Sequence, residues 1–277
     1  MRVVAILSTN YAGSTLLSFI LGALPGCASG GEDHIVLPPW KERRNLMCTL
    51  CGRGKPCPVL TQEVIQSCAP DNHWDMLAQA RGCDTYITST KDYRTYQATM
   101  GLRPDRDVRF LMLYRPPEYY IASAMKHNKT THRTRSAKAW AAINRESMSW
   151  VDAGGYPCCV VSFDEFTRNP EGQLKKICTY LELPYEPAAI KYWNFEHHQF
   201  SGNTGTHINC WGIDDHRSKS LLKRKAGKID YYREHYRKII PLSDQPPPFT
   251  PEEIKAIWDV PDVRDVFNEL EKRSKDE

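Results

Sequence analysis

Three stretches of the chain combine residue types that do chemistry. In Ser8 to Thr15, STNYAGST, small polar residues and a glycine follow a β-prone apolar run, Val3 to Leu7, and lead into Ser14 to Leu24, whose length and leucine content suit a helix. Backbone N–H groups at a helix N-terminus lack intrahelical partners, and the helix dipole adds positive potential there, so such a junction suits an anion. Gly13 lets the backbone approach closely, while Ser14 and Thr15 add hydroxyl donors. A triphosphatase loop needs Gly-x-x-x-x-Gly-Lys-Ser/Thr, with the lysine on the terminal phosphates and the hydroxyl on magnesium. Ser8 stands in place of the first glycine and Ser14 in place of the lysine, which implies phosphate binding without the parts for metal-assisted phosphoryl transfer. An ordinary N-capped helix after a strand is the plainer alternative.

The second stretch, CTLCGRGKPC, offers three soft ligands, Cys48, Cys51 and Cys57, with Cys27, His34 or Cys68 as a conceivable fourth for zinc. Only one CxxC pair is present, so packed thiols are the first expectation, with zinc and a disulfide as alternatives. The third, Arg217 to Lys238, holds nine basic residues against Asp230 and Glu234, a local charge of about +7, with tyrosines interleaved. A solvated helix face and an RNA-binding segment are both open on composition.

These residues need elements to hold them. Tyr86 to Ser89, Val108 to Tyr114 and Cys158 to Phe163 read as further strands, and Val108 to Tyr114 is apolar enough to be covered on both faces. Helices are expected over part of Asp92 to Arg103, over Glu118 to Lys126 and over Ala137 to Val151. Asn169 and Pro170 supply an N-cap and an N1 proline for a helix carrying Leu174, Ile177, Cys178 and Leu181. Thr250 to Glu253 repeat that start signal after a stiff Pro246 to Pro248 linker. Alternating strands and helices predict an α/β fold, a three-layer, P-loop-like parallel sheet flanked by helices. The expected organisation is a single domain over residues 1–277, with a cysteine-containing insertion at 33–60 and a basic segment and C-terminal helices at 206–277.

With these motifs in place, the chain resembles the sulfotransferases that use 3'-phosphoadenosine 5'-phosphosulfate, nearest to the bacterial and tyrosylprotein-type branches. STNYAGSTLL, followed by Gly30 to Glu32, is similar to the family's 5'-phosphosulfate loop. TSTKD at Thr88 to Asp92 resembles the segment that bears its active-site lysine. LMLYRPPEYYIAS at Leu111 to Ser123 is similar to its 3'-phosphate motif, and VVSFDEFTRNP at Val160 to Pro170 resembles a segment whose aromatic residue packs near adenine. SGNTG at Ser201 to Gly205 is similar to a late glycine-asparagine element. The likeness covers roughly residues 3–240.

The resemblance implies that Tyr11, Ala12, Gly13, Ser14, Thr15 and Leu16 bind the 5'-phosphosulfate, that Arg115 and Ser123 bind the 3'-phosphate, and that Phe163 lies by adenine. It implies Glu32 as general base and Lys91 as the group that stabilises the leaving oxygen, with Asp33 and His34 as adjacent rivals for the base. Partial burial of Glu32 is expected to raise its pKa towards neutrality. The donor is then 3'-phosphoadenosine 5'-phosphosulfate (PAPS), the product adenosine 3',5'-bisphosphate (PAP), and no metal is required. The family usually carries arginine or lysine where this chain has Tyr11, and a carboxylate where it has Pro116. It also closes a basic C-terminal segment over the 3'-phosphate, for which Arg224, Lys225 or Lys228 could serve.

Length and composition bound these readings. The 277 residues comprise 41% hydrophobic and 25% charged residues, an ordinary globular balance, and a net charge of only +4 argues against generic nucleic-acid binding. No apolar run approaches the roughly 18 residues of a membrane span, and Val3 to Leu7 is too short for a signal peptide. A cytoplasmic protein with reduced thiols is expected, acting on a small-molecule acceptor at a hydroxyl or nitrogen, such as a secondary metabolite or toxin. The rivals are a P-loop nucleotide kinase and a non-catalytic nucleotide or RNA binder.

Overall fold

The computed structural model describes residues 1–39, 41–43, 46–52, 55–99, 105–128, 132–224 and 229–276. Five strands, β1 (Arg2–Ser8), β2 (Cys27–Gly31), β3 (Thr85–Lys91), β4 (Asp107–Tyr114) and β5 (Cys158–Ser162), form one parallel sheet in the order β2-β3-β1-β4-β5. Val3 to Leu7 are wholly buried in its centre, as a continuous apolar run demands. Along β4, Leu111 and Leu113 join one core cluster while Met112 and Tyr114 join the other, so this strand is covered on both faces.

Helices connect the strands. α1 (Ser14–Gly22) leaves β1. α2 (Gln62–Ser67) and α3 (His73–Arg81) precede β3, and α4 (Tyr93–Thr99) follows it. α5 (Pro117–Asn128) and α6 (Arg133–Gly154) join β4 to β5, and α7 (Phe163–Arg168) and α8 (Pro170–Leu181) come after β5. The expected caps are present: Asn169 Oδ1 accepts the Gly172 N–H at 3.1 Å, and Thr250 and Glu253 form a capping box. The remaining helices are α9 (Thr204–Trp211), α10 (His216–Arg224), α11 (Ile229–Glu234), α12 (Pro251–Trp258) and α13 (Val263–Asp276). The last two close the second core cluster with Ile257, Val263, Val266 and Leu270. Among the described residues, no helix is long and apolar enough to cross a membrane.

One strand departs from the sequence reading. Cys27–Gly31, CASGG, has no β-branched or aromatic residue and is not among the expected strands, yet it forms the sheet edge beside β3. Its small side chains are a packing requirement. A Cβ on Gly30 would lie 1.7 Å from the Tyr86 hydroxyl, and one on Gly22 of α1 would lie 2.7 Å from the Ser29 nitrogen. Close approach by β3 on one side and α1 on the other selects residues that strand propensity disfavours.

Candidate active site

The junction between β1 and α1 forms a compact loop that ends at Gly13, the N-cap of α1, with φ 104°. Only glycine adopts that conformation without strain. A Cβ there would also lie 2.1 Å from Cε2 of Phe163, because the Phe163 ring, at the first turn of α7, covers the loop. The Leu16 N–H already donates to the Gly13 carbonyl at 2.9 Å. Among the described residues the N–H groups of Gly13, Ser14 and Thr15 meet no acceptor. Ser14 and Thr15 are buried, and Ala12 is sealed in the core beneath them.

Arg115 stands just past the end of β4, the neighbour of β1 in which Leu113 pairs with Ser8. Its Nη1 donates to the Tyr11 carbonyl at 3.1 Å and reaches the Ser123 hydroxyl at 3.5 Å. Tyr119 and Phe163 lie beside the guanidinium, 5.4 and 5.6 Å from Cζ to the ring centroids. Its Nε is buried without a hydrogen-bond partner, and no carboxylate pairs with it among the described residues. Burial in a site lacking a counter-charge pushes the Arg115 pKa down to about 10. The loop, Arg115, Ser123 and Phe163 therefore lie side by side. Phe163 opens a helix instead of ending β5.

Tyr11 is held at φ 66° and stacks on the His127 ring of α5, with centroids 4.8 Å apart. An imidazole thus lies beside the position where the family usually has a basic side chain.

On the other side of β1, Lys91 ends β3 with φ 78°, and the register between β1 and β3 shifts between Ala5 and Leu7. The Lys91 ammonium pairs with the Glu32 carboxylate, and both are mostly buried. Glu32 follows β2, and its N–H donates to the Phe200 carbonyl at 3.0 Å. Its pKa corrects the expectation. Burial does push Glu32 up, but the charge and hydrogen bond of Lys91, together with the Ser201 hydroxyl, outweigh it and leave the carboxyl below its ordinary value. The rivals are poorly placed. Asp33 is wholly buried, with Oδ1 accepting from Thr88 at 2.6 Å and Thr90 at 3.0 Å; His34 Nδ1 meets the Thr90 hydroxyl at 3.3 Å.

The two halves are joined by a segment the sequence reading only partly used. The Asn203 N–H donates to the Thr15 hydroxyl oxygen at 3.1 Å, and the Asn203 side chain caps α9. Ser201, two residues earlier, is close enough to lower the Glu32 pKa. Ser201–Asn203 therefore run between the loop after β1 and the Glu32 carboxylate. Gln199 supports this segment, accepting from Ser29 Oγ at 3.1 Å. Only the SGNTG likeness pointed to these residues, since a serine or asparagine in a loop has no distinguishing period. Tyr231 of α11 is close enough to bias the charge on Arg115, so the basic segment does reach this site. Lys225 and Lys228 lie outside the described residues, as does the side chain of Arg224.

All ten cysteines are free thiols. Cys48, Cys51 and Cys57 converge on His198, and not on Cys27, His34 or Cys68.

A glycine-ended loop between a buried strand and a helix N-terminus, with a partly buried guanidinium beside it at the carboxyl edge of a parallel sheet, defines an α/β protein whose sheet edge has the form of an anion site. Within that class the chain belongs to the sulfotransferase family, whose model matches residues 4–187. In fold it is similar to a sulfotransferase domain of the Synechococcus PCC 7002 olefin synthase, with TM-score 0.59, 16% identity, and coverage of 98% of this chain and 94% of that one. It is likewise similar to a sulfotransferase domain from the curacin biosynthetic pathway, with TM-score 0.58, 16% identity, and coverage of 93% and 96%. No curated protein sequence matches it.

Proposed function

We propose that the protein, acting as a single domain, transfers a sulfuryl group from PAPS to a hydroxyl or nitrogen of a small-molecule acceptor, a secondary metabolite or toxin. The observation that carries this reading is the partly buried Arg115 guanidinium held against the loop after β1, with Nε buried and unpartnered and no carboxylate beside it among the described residues. A cation without a counter-ion in a desolvated site is costly unless an anion arrives. Its neighbours supply a second anion site one strand away, so two phosphates of one nucleotide can be held together.

In this reading the Gly13, Ser14 and Thr15 N–H groups hold the 5'-phosphosulfate, and Arg115 with Ser123 holds the 3'-phosphate in a charge-assisted contact. Phe163, packed between the loop and Arg115, lies on the side where adenine would sit. The donor supplies a sulfuryl group whose bond to the phosphate oxygen breaks as the acceptor atom bonds to sulfur. Glu32 takes the acceptor's proton. Lys91 releases Glu32 and turns to the departing oxygen, so the same movement that stabilises the leaving group restores the basicity of the carboxylate. No metal takes part.

Titration calorimetry with adenosine 3',5'-bisphosphate in the presence of a chelator tests this. Tight binding is expected, and Arg115→Ala is expected to weaken it about 100-fold, the equivalent of roughly 3 kcal/mol for a charged hydrogen-bond pair. Binding of ATP with magnesium in preference to the bisphosphate would refute the reading and favour a kinase.

A further inference from the structure

We infer that Cys48, Cys51, Cys57 and His198 form a structural zinc site. The three sulfurs lie 3.8, 3.4 and 3.3 Å from Nδ1 of His198, and all four atoms are within 4.8 Å of one another. A tetrahedral zinc ion, at about 2.3 Å from sulfur and about 2.05 Å from nitrogen, requires sulfur-to-nitrogen separations of about 3.6 Å. The observed three bracket that value. Hydrogen bonding gives no reason for this cluster: one imidazole nitrogen has a single lone pair or a single proton, and cannot satisfy three thiols. Nor does a disulfide, which would leave one of the three sulfurs over.

The surroundings are those of a ligand set. His198 Nε2 meets the Glu196 carboxylate at 2.9 Å. A proton on Nε2 is thereby favoured, which leaves the Nδ1 lone pair aimed at the sulfurs, the arrangement in which an outer carboxylate orients a metal-binding histidine. The Leu60 N–H points at Cys57 Sγ, 3.1 Å away, and stabilises a thiolate there. The CxxC turn closes through a Gly52 N–H to Cys48 carbonyl bond of 3.2 Å, with Gly52 at φ 83°. Soft sulfur ligands and tetrahedral spacing select zinc over magnesium or calcium. With four protein ligands, three of them buried, the ion has no open position for substrate and is structural. Loading converts three thiols to thiolates and releases three protons to the buffer, leaving the site with one net negative charge. Arg81 donates to the His198 carbonyl nearby.

The site's place in the fold gives it a task. Its loop is tied to the next segment by the Thr49 N–H, which donates to the Gln199 carbonyl at 2.9 Å. Phe200 then pairs with Gly31 and accepts the Glu32 N–H. The ion fastens the cysteine loop to the strand-like segment that positions Glu32. This last link rests on the role proposed for Glu32; metal binding itself does not.

The test uses full-length protein grown with zinc and freed of any affinity tag. Elemental analysis is expected to find one zinc per chain. Titration of the thiols with a mercurial is expected to release it only as three thiols react. Glu196 is exposed, so Glu196→Ala should fold normally and lose about 10- to 100-fold in zinc affinity in a chelator competition, while Cys83→Ser, outside the cluster, keeps the metal. Cobalt-loaded protein should show thiolate-to-cobalt charge-transfer absorption that is absent in Cys51→Ser. Wild-type protein with little zinc, no cobalt absorption and freely reactive thiols at all three positions would overturn the proposal, even if Cys51→Ser fails to fold. Retention of bisphosphate binding by such metal-free protein would leave the proposed activity standing.

Discussion

Glu32 and Lys91 neutralise one another in the unliganded site, and this sets how the reaction responds to pH. The carboxylate is the form that accepts a proton, and Lys91 holds its pKa below the ordinary value despite burial. The acid limb of the pH profile of kcat/KM, which reports the free enzyme, is therefore expected below the usual carboxylate range. With the ammonium gone, burial is opposed only by the weaker influences of Ser201 and His34. The residual activity of Lys91→Ala should have its acid limb displaced to higher pH; an unmoved limb would mean that another group is the base. Glu32→Gln is expected to lower kcat by about 10²- to 10⁴-fold and to change bisphosphate affinity little, because Glu32 touches neither Arg115 nor the loop. Full turnover in that variant would reassign the base to Asp33 or His34.

At the level of elements, the site depends on two strand-to-helix junctions that touch: β1 with α1 through Gly13, and β5 with α7 through Phe163. Gly13→Ala puts a methyl group at φ 104° and against the Phe163 ring, and should cost about 1–3 kcal/mol of stability in urea denaturation. The cost should shrink in a Phe163→Ala background, where only the backbone strain remains. Equal costs in the two backgrounds would show that the ring does not cover the loop. The first of these junctions was legible in the sequence, because a buried strand, a glycine turn and a helix start lie within a dozen consecutive residues. The pairing of Arg115 with Ser123 was legible through helical spacing and the family likeness. What stayed hidden depends on tertiary approach. β2 is composed of residues chosen for closeness to Tyr86, the sign of the Glu32 shift depends on where Lys91 ends, and His198 comes to the cysteines from about 140 residues away.

Across the whole molecule, burial of ionisable groups makes stability depend on pH in a direction that can be worked out. His73, His197 and His207 are buried, and burial pushes each of them down to about 4; an unfolded imidazole titrates near 6.5. Between these values the unfolded chain binds more protons, so the stability tied to neutral imidazoles is fully present above about pH 6.5 and is lost as pH falls towards 4. Asp33 works the other way. Burial raises it to about 6 against about 3.9 unfolded, so the folded state binds the extra proton and acidification through that window adds stability. Near pH 5 each of the three histidines takes up nearly one proton on unfolding and Asp33 gives up nearly one. These four groups together take up about two protons, and their contribution to the unfolding free energy should fall by about 2–3 kcal/mol per pH unit there, with His198, also pushed down by burial, acting in the same direction. Urea denaturation of metal-stripped protein, in which thiolate protonation plays no part, measures this slope between pH 6.5 and 4.5. Asp33→Asn removes the opposing group, since an amide still accepts from Thr88 and Thr90, and should steepen the slope by about one proton. A flat profile, or one that Asp33→Asn leaves unchanged, would mean that these groups are not buried in the ionisation states their surroundings impose.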